Sequence, residues 1–390
     1  MGKKASILKN LAAKPVDRYV VWVVLVLSAV GVVAVYSAIS FLAETKGGGD
    51  TERFLVQHVL RIGLAFGLIA VFSFVDYRKL ARLSKIALLV AMGLLVAVKF
   101  VGVVSGGAAR WLQIGSFGFQ PSDLAKVALI LYLGVLLTKK QAYIKSFARA
   151  FVPLFFWILS TVALIGIENL STAALVLLTA VVVCFVGRVS VLHLGGVGLV
   201  GACLAVLLLM NSPGRAARVE AYLGMKLFSN TEAADVFDDR AEGYQAQQAR
   251  IAFAMGGLAG VGPGKSVQRD FLPAPYNDFI FAIIAEEYGI AGALALLAVF
   301  VVLLFRGFLR IARHAPDPLG LFLGVGFTTM VVLYGFIHAG VSCGLLPVTG
   351  LPMPFVSYGG TSMVATGIMI GIVLNISRQS ARAAAAATAS

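Results

Sequence analysis

The sequence predicts an all-α integral membrane protein of about ten transmembrane helices, with both termini cytoplasmic and one large structured extracytoplasmic loop. Three observations predict it. Of 390 residues, 59% are hydrophobic and only 13% charged, whereas soluble domains run at roughly 45–50% apolar and about 25% charged. That excludes a soluble enzyme, a disordered chain and a DNA-binding domain. Apolar runs near the bilayer-crossing length of about 20 residues recur along the whole chain. Lysine and arginine gather in alternate connections, nineteen of the 32 basic residues falling on one side, and the positive-inside rule makes that side cytoplasmic.

The elements follow in order. Lys3, Lys4, Lys9, Lys14 and Arg18 mark a cytoplasmic arm over residues 1–18. The first run, 19–40, is too long for a cleavable signal, and no small-residue cleavage site follows it. Runs 56–76 and 84–104 flank the basic connection Arg78, Lys79, Arg82, Lys85. An outer loop at 105–121 leads to run 122–138, and Lys139, Lys140, Lys145 and Arg149 precede run 148–166. Runs 171–187 and 190–210 enclose Arg188; Gly195, Gly196, Gly198 and Gly201 in the second predict close helix approach. Residues 211–278 form a long outer loop with seven basic and eight acidic residues. Structureless loops of that length are uncommon, so Val219–Phe228 and Gly243–Leu258 are read as interfacial helices, the second ended by Gly262-Pro263-Gly264. Runs 279–304, 319–340 and 359–376 complete a membrane domain spanning 19–376. Arg306, Arg310 and Arg313 separate the first two, and the uncharged outer loop 341–358 separates the last two. The Ala-rich tail, 377–390, is expected to be disordered or weakly helical.

A net charge of +14 follows from the basic cytoplasmic loops and their attraction to anionic lipid, so nucleic acid is not needed to explain it. Cys184, Cys203 and Cys343 are too few for a disulfide framework, and His58, His193, His314 and His338 lack zinc-ligand spacing. Ionisable groups within or bordering membrane spans are costly unless paired or wetted, and so are functional candidates. Here they are Lys99, Asp123, Lys126, Glu286 and Glu287, with Arg61, Arg110, Glu168 and Asp278 nearer the outer edges. Asp123 and Lys126 share a helix face. Either Ser122 or Asp123 caps the helix and the lysine pairs locally, or the pair floors an outward cavity with Lys126 facing an anion. Asp278 precedes the eighth run, where it is either an N-cap or a carboxylate at a cavity mouth. Glu286 and Glu287 are read as interior hydrogen-bonding groups. Val261-Gly262-Pro263-Gly264-Lys265-Ser266 is not a nucleotide loop: the Walker spacing needs glycine where Ala259 stands.

Four ordered motifs then carry a resemblance. Gly107-Ala108-Ala109-Arg110-Trp111-Leu112 with Gln120-Pro121-Ser122-Asp123-Leu124-Ala125-Lys126 resembles the "ARRW … QPSE-x-x-K" signature of the SEDS family (shape, elongation, division and sporulation; FtsW and RodA). Gly243-Tyr244-Gln245 through Gly264-Lys265-Ser266-Val267-Gln268 is similar to that family's outer loop. Asp278-Phe279-Ile280-Phe281-Ala282 with Glu286-Glu287-Tyr288-Gly289 resembles its "DFIFA … EE-x-G" motif, and Leu346–Phe355 with Ser357-Tyr358-Gly359-Gly360 its last outer loop. The resemblance covers about residues 17–378. Asp123 stands where glutamate is usual, Ala109 replaces the first arginine, Tyr276-Asn277 a His-Thr pair, and Glu168-Asn169-Leu170-Ser171-Thr172 the sequence "PDLGT".

The resemblance implies a peptidoglycan glycosyltransferase of the bacterial cytoplasmic membrane that polymerises lipid II at the outer face. Tyr244-Gln245 and Ser266-x-Gln268 look nearer the division member, which points to septal synthesis. Asp278 maps onto the family's essential carboxylate, as general base. Arg110, Lys126 and Lys265 would neutralise the pyrophosphate, Trp111 and Gln120 would shape the sugar site, and Asp123, Gln268 and Ser357 complete the substrate-binding candidates. No organic cofactor is implied; a divalent cation, Mg2+ or Mn2+, would share the pyrophosphate charge. The implied partners are lipid II, a class B penicillin-binding protein and other divisome membrane proteins. A lipid II flippase and a non-catalytic scaffold are the alternatives. A flippase needs polar groups open to both faces, and no comparable cytoplasmic cluster stands out in the sequence.

Overall fold

The structure, a computed structural model, describes residues 16–46, 51–105, 108–114, 117–225, 242–272 and 274–387. The first four lysines of the basic arm, and the end of the expected helix 219–228, lie outside them. Helices α1 (Arg18–Lys46), α2 (Thr51–Phe74) and α3 (Tyr77–Val101) come first. Asp76 starts α3, its carboxylate accepting from the Arg78 amide at 2.9 Å. Three short strands follow: β1 (Val103–Ser105), β2 (Ala108–Ile114) and β3 (Phe117–Phe119), antiparallel in the order β1-β2-β3. This small sheet falls almost wholly within residues 105–121, which the sequence reading left as an outer loop without elements of its own.

The chain continues through α4 (Pro121–Lys140), α5 (Val152–Glu168), α6 (Leu170–Val186) and α7 (Val191–Met210). Nine of the described helices are long and apolar enough to cross a membrane; α6, at 17 residues, is a shorter apolar tenth. Gln120 is the cap residue of α4 and its side chain makes no cap bond, so neither Ser122 nor Asp123 caps that helix. A Cβ added at Gly201 would lie 2.4 Å from Leu177, but Gly195, Gly196 and Gly198 have nothing within 4 Å. The expected close approach through α7 therefore holds at one glycine of four, because most of this helix faces outward.

Between the seventh and eighth runs, α8 (Pro213–Leu223) starts earlier than expected and α9 (Glu242–Gly256) falls where expected. Proline is favoured at a first helical position and glycine just past the end. Pro213 and Gly224 occupy those places, Gly224 at φ +67°. The last helices are α10 (Ile280–Phe305), α11 (Pro318–Ser342) and α12 (Thr361–Ala387). The tail is helical to Ala387, well beyond the expected end at 376. In α4, α11 and α12, 78% of the apolar window is buried, against 11% in α7, so those three form the centre of the bundle.

Helix α10 is broken at Gly289 (φ 69°, ψ −175°). The break frees the carbonyls of Glu286 and Glu287, which accept from the Val261 and Gly262 amides at 3.0 Å each. The loop after α9 thus completes the hydrogen bonding that the kink interrupts. At the basic end, Arg78 pairs with Asp317 at 2.6 Å, Arg306 with Asp17 at 2.5 Å, and Gln379 donates to Asp76 at 2.9 Å.

Candidate functional site

At the opposite end from these basic loops, a cavity of about 300 Å3 lies between β2, the start of α6, α8 and the loop before α12. Arg110, Arg215 and Arg218 line it together with Asn169, Leu175 and Thr349. The arginines are placed by ordinary helix-end chemistry. The last carbonyls of a helix lack partners and carry its negative dipole end. Arg110 donates to the Glu168 carbonyl at 2.9 Å, and Arg215 donates to Gly166 at 2.8 Å and to Ile167 at 2.5 Å. The C-terminus of α5 thus anchors two guanidinium groups at the rim. Burial lowers the pKa of Arg110, and the charges of Arg218 and Arg215 lower it further, against Glu168 and Asp278.

Asp278 does not itself line the cavity, but it lies near enough for Arg218 and Arg110 to act on its charge. It is not the cap of α10: the helix begins at Ile280 and its cap residue is Phe279. The two readings left open by the residues therefore separate in favour of an uncapped carboxylate. Burial raises the pKa of Asp278, and Arg218 and Arg110 oppose that rise. The residue is half-buried, and a Cβ at Gly350 (φ +64°) would lie 3.6 Å from Asp278 Oδ2, so the loop before α12 runs directly past the carboxylate. The Ser357 hydroxyl donates to the Asn277 carbonyl at 2.8 Å and accepts from the Met353 amide at 2.8 Å, and the Tyr358 amide donates to the Tyr276 carbonyl at 2.9 Å. These bonds fix the backbone just before Asp278. Ser357 is itself buried and supports this loop; it does not line the cavity.

The other sequence candidates occupy different places. Trp111 lies on β2 over Gly118, where a Cβ would meet the indole at 3.4 Å. Gln120 is half-buried at the entry to α4. Asp123 and Lys126 are buried and paired: Lys126 Nζ donates to Asp123 at 2.7 Å and to the Tyr334 hydroxyl at 3.2 Å, and Thr361 donates to Asp123 at 2.6 Å. Lys126 is 1% exposed, so its ammonium faces Asp123 and the Tyr334 ring inside the bundle, not the cavity. Lys265 is exposed on the glycine turn, and Gln268 is buried, its backbone N–H donating to Glu286 at 3.3 Å; neither lines the cavity. Glu286 also accepts from Ser266 at 2.5 Å and from the Val267 amide at 2.9 Å, and Glu287 accepts from Ser37, so both glutamates are interior hydrogen-bonding groups.

The sequence reading thus brings Arg110 and Asp278 together but misses Arg215 and Arg218. Their i, i+3 spacing after Pro213 was the available signal: it places both on one face of a helix with a proline start. Among the described residues no three His, Cys, Asp or Glu side chains converge as metal ligands.

Comparison with known proteins extends this picture. The family model for FtsW, RodA and SpoVE, described as cell cycle protein, matches residues 17–382. Stage V sporulation protein E of Bacillus subtilis is 37% identical over 93% of this chain and 97% of its own length. A Geobacter sulfurreducens protein named probable peptidoglycan glycosyltransferase FtsW is 36% identical over 94% of this chain and 97% of its own. Among solved structures, a chain of a peptidoglycan synthase complex, described as coordinating polymerization and crosslinking, superposes with TM-score 0.74 at 28% identity, covering 94% of this chain and 98% of that one. The rod shape determining protein RodA of Thermus thermophilus superposes with TM-score 0.67 at 26% identity, over 93% of this chain and 97% of that one.

Proposed function

We infer the function from one premise: this chain belongs to the FtsW, RodA and SpoVE family of membrane proteins. It is a peptidoglycan glycosyltransferase that joins lipid II units into glycan strands, working at the outer face of the cytoplasmic membrane. The observation that carries the reading is an uncapped Asp278 carboxylate, half-buried beside an arginine-lined cavity and subject to the charges of Arg218 and Arg110.

The reaction needs a base, a cationic site and an exit for a large leaving group. The acceptor sugar hydroxyl attacks the anomeric carbon of the donor. Its proton passes to Asp278, and the bond from that carbon to the diphosphate oxygen breaks, the electron pair leaving with the polyprenyl diphosphate. Arg110 and Arg218 are placed to stabilise the developing negative charge, with Arg215 holding the rim. A carboxylate whose pKa is raised is a stronger base near neutral pH than an ordinary aspartate. The donor set does not fit a resident divalent cation: three arginines line the cavity, and the two carboxylates near them, Asp278 and Glu168, are too few to offset their repulsion. Mg2+ or Mn2+ would instead arrive with the substrate diphosphate.

A transpeptidase of the class B penicillin-binding type is the proposed partner, supported by the likeness to a chain of a synthase complex; other divisome proteins would join it. The similarity to FtsW and to a sporulation protein at 36–37% identity supports a septal role.

Purified protein with labelled lipid II tests the reading. Asp278→Asn is expected to fold, bind lipid II and lose roughly 10²–10⁴-fold in polymerisation, the usual contribution of a general base. Wild-type glycan ladders from the variant would remove Asp278 from the chemistry.

A further inference from the structure

A second cavity, of about 500 Å3, lies between α3 and α4 at the basic end of the molecule, far along both helices from the arginine cluster. Arg78, Arg82 and Lys85 enter it from the first turns of α3, and Lys139 from the last turn of α4. The three α3 residues sit at i, i+4 and i+7, which puts them on one stripe of the helix. Arg78 is committed to Asp317, to which Nη2 and Nε donate at 2.6 and 2.7 Å. Arg82, Lys85 and Lys139 are exposed, and none has a carboxylate or hydrogen-bond partner among the described residues. The cavity wall behind them is apolar, built by Tyr132, Leu136 and Leu319.

Two features separate this cluster from an ordinary basic loop. The cations line one cavity, so they repel one another across it unless an anion enters. The same helix also presents an apolar outer surface immediately beside them, with Leu83 61% and Ile86 62% exposed and Leu89 and Val90 exposed a turn further on. A soluble anion would use the cations and leave that surface unused. An amphipathic anion uses both, with its charge in the cavity and its chains along α3. Basic pockets between transmembrane helices on the cytoplasmic side are known to take anionic lipid headgroups, and lysine and arginine bias assigns this face to the cytoplasm.

We propose that the cavity between α3 and α4 binds an anionic phospholipid of the inner leaflet. A headgroup of two phosphates lies among Arg82, Lys85 and Lys139, and the acyl chains run along the outer face of α3. Three cations without partners among the described residues match two phosphodiester charges better than one. The assignment does not depend on the glycosyltransferase chemistry at the other face.

The test uses the full chain, purified in detergent and stripped of lipid, then offered diphosphatidylglycerol, phosphatidylglycerol or phosphatidylethanolamine. Native mass spectrometry reads retention, and thermal unfolding reads stabilisation. Diphosphatidylglycerol is expected to be retained best and to raise Tm. The variant Arg82→Gln/Lys85→Gln/Lys139→Gln should lose at least tenfold in retention. The variant Lys79→Gln/Lys145→Gln/Arg149→Gln removes the same charge outside the cavity and should keep it. Equal losses in both variants, or none in the first, would reduce the cluster to general surface charge and overturn the site. Tighter retention of a polyprenyl diphosphate than of diphosphatidylglycerol, abolished by the same cavity substitutions, would overturn the occupant. If the triple variant does not fold, Lys85→Gln and Lys139→Gln singly carry the test, each with an expected several-fold loss.

Discussion

Two opposing effects act on the Asp278 carboxyl: burial raises its pKa, Arg218 and then Arg110 lower it, and burial prevails. A base must be ionised, so polymerisation should fall as pH drops through a value above the ordinary aspartate range. Arg218→Ala removes the larger of the two opposing charges, and the acid limb of the pH–rate profile should move to higher pH. The Arg215 side chain is occupied by the Gly166 and Ile167 carbonyls and is not among the charges acting on Asp278. Arg215→Ala should therefore lower the rate without moving the limb; identical limbs in wild type and Arg218→Ala would break the electrostatic link. The stability sign runs the other way. A carboxyl with a raised folded pKa takes up protons on folding, and its contribution to stability falls as pH rises between the unfolded and folded values. Asp278→Asn should accordingly melt no lower than wild type near neutral pH, which separates chemical loss from misfolding. Asp278 and Arg110 were legible because each sits in a motif whose order along the chain can be read directly. The outer partners of the Asp123–Lys126 pair were not: Tyr334, which meets Lys126, and Thr361, which donates to Asp123, lie more than two hundred residues further along the chain, and only the folded bundle brings their hydroxyls to the pair.

At the scale of elements, the crossing of α9 and the loop after it over kinked α10 sets the position of the segment that ends at Asp278. A Cβ would lie 2.1 Å from the Ala285 carbonyl oxygen at Gly256, 2.2 Å from that of Glu287 at Gly260, and 2.3 Å from that of Leu258 at Gly289. These are backbone contacts, which cannot swing aside as a side-chain tip would. Gly289 also has φ 69° and ψ −175°, a region closed to other residues. Gly289→Ala should cost at least about 1–3 kcal/mol of strain, with more from the clash, and lower both Tm and polymerisation. Gly93→Ala, in α3 with nothing within 4 Å of its added methyl, should leave Tm unchanged or slightly raised. A Gly289→Ala protein that melts like Gly93→Ala would mean the kink is not a fixed feature. The long helices were legible because an uninterrupted apolar run of bilayer length has few other structural uses. The β1–β3 sheet was missed although its signals are present: Arg110-Trp111-Leu112-Gln113-Ile114 alternates polar and apolar only in part, but Gly106-Gly107 and Gly115-Ser116 are residue pairs of the composition that favours two-residue hairpin connections. Hydropathy over a window of about 20 residues averages such short strands away.

Over the whole molecule, the arginine-lined cleft and the basic end are held apart by the most buried helices, α4, α11 and α12. The Asp123–Lys126 pair joins them: α4 supplies both charges, α11 the Tyr334 hydroxyl and α12 that of Thr361. Buried ion pairs of this kind are costly to break on one side, because the remaining charge is stranded, and often cheap to replace together by apolar residues of similar size. Asp123→Leu alone leaves the Lys126 ammonium with only Tyr334, and Lys126→Met alone leaves a carboxylate with only Thr361. Each should cost about 3–5 kcal/mol, seen as a large drop in Tm and loss of the detergent-stable form. The double variant Asp123→Leu/Lys126→Met should recover most of that stability. It should recover glycan polymerisation as well, since Lys126 is enclosed and its charge is answered within the bundle, leaving the diphosphate to Arg110 and Arg218. A double variant that melts like the wild type yet forms no polymer would instead place Lys126 on the substrate, in a conformation that opens the centre of the bundle to the cleft.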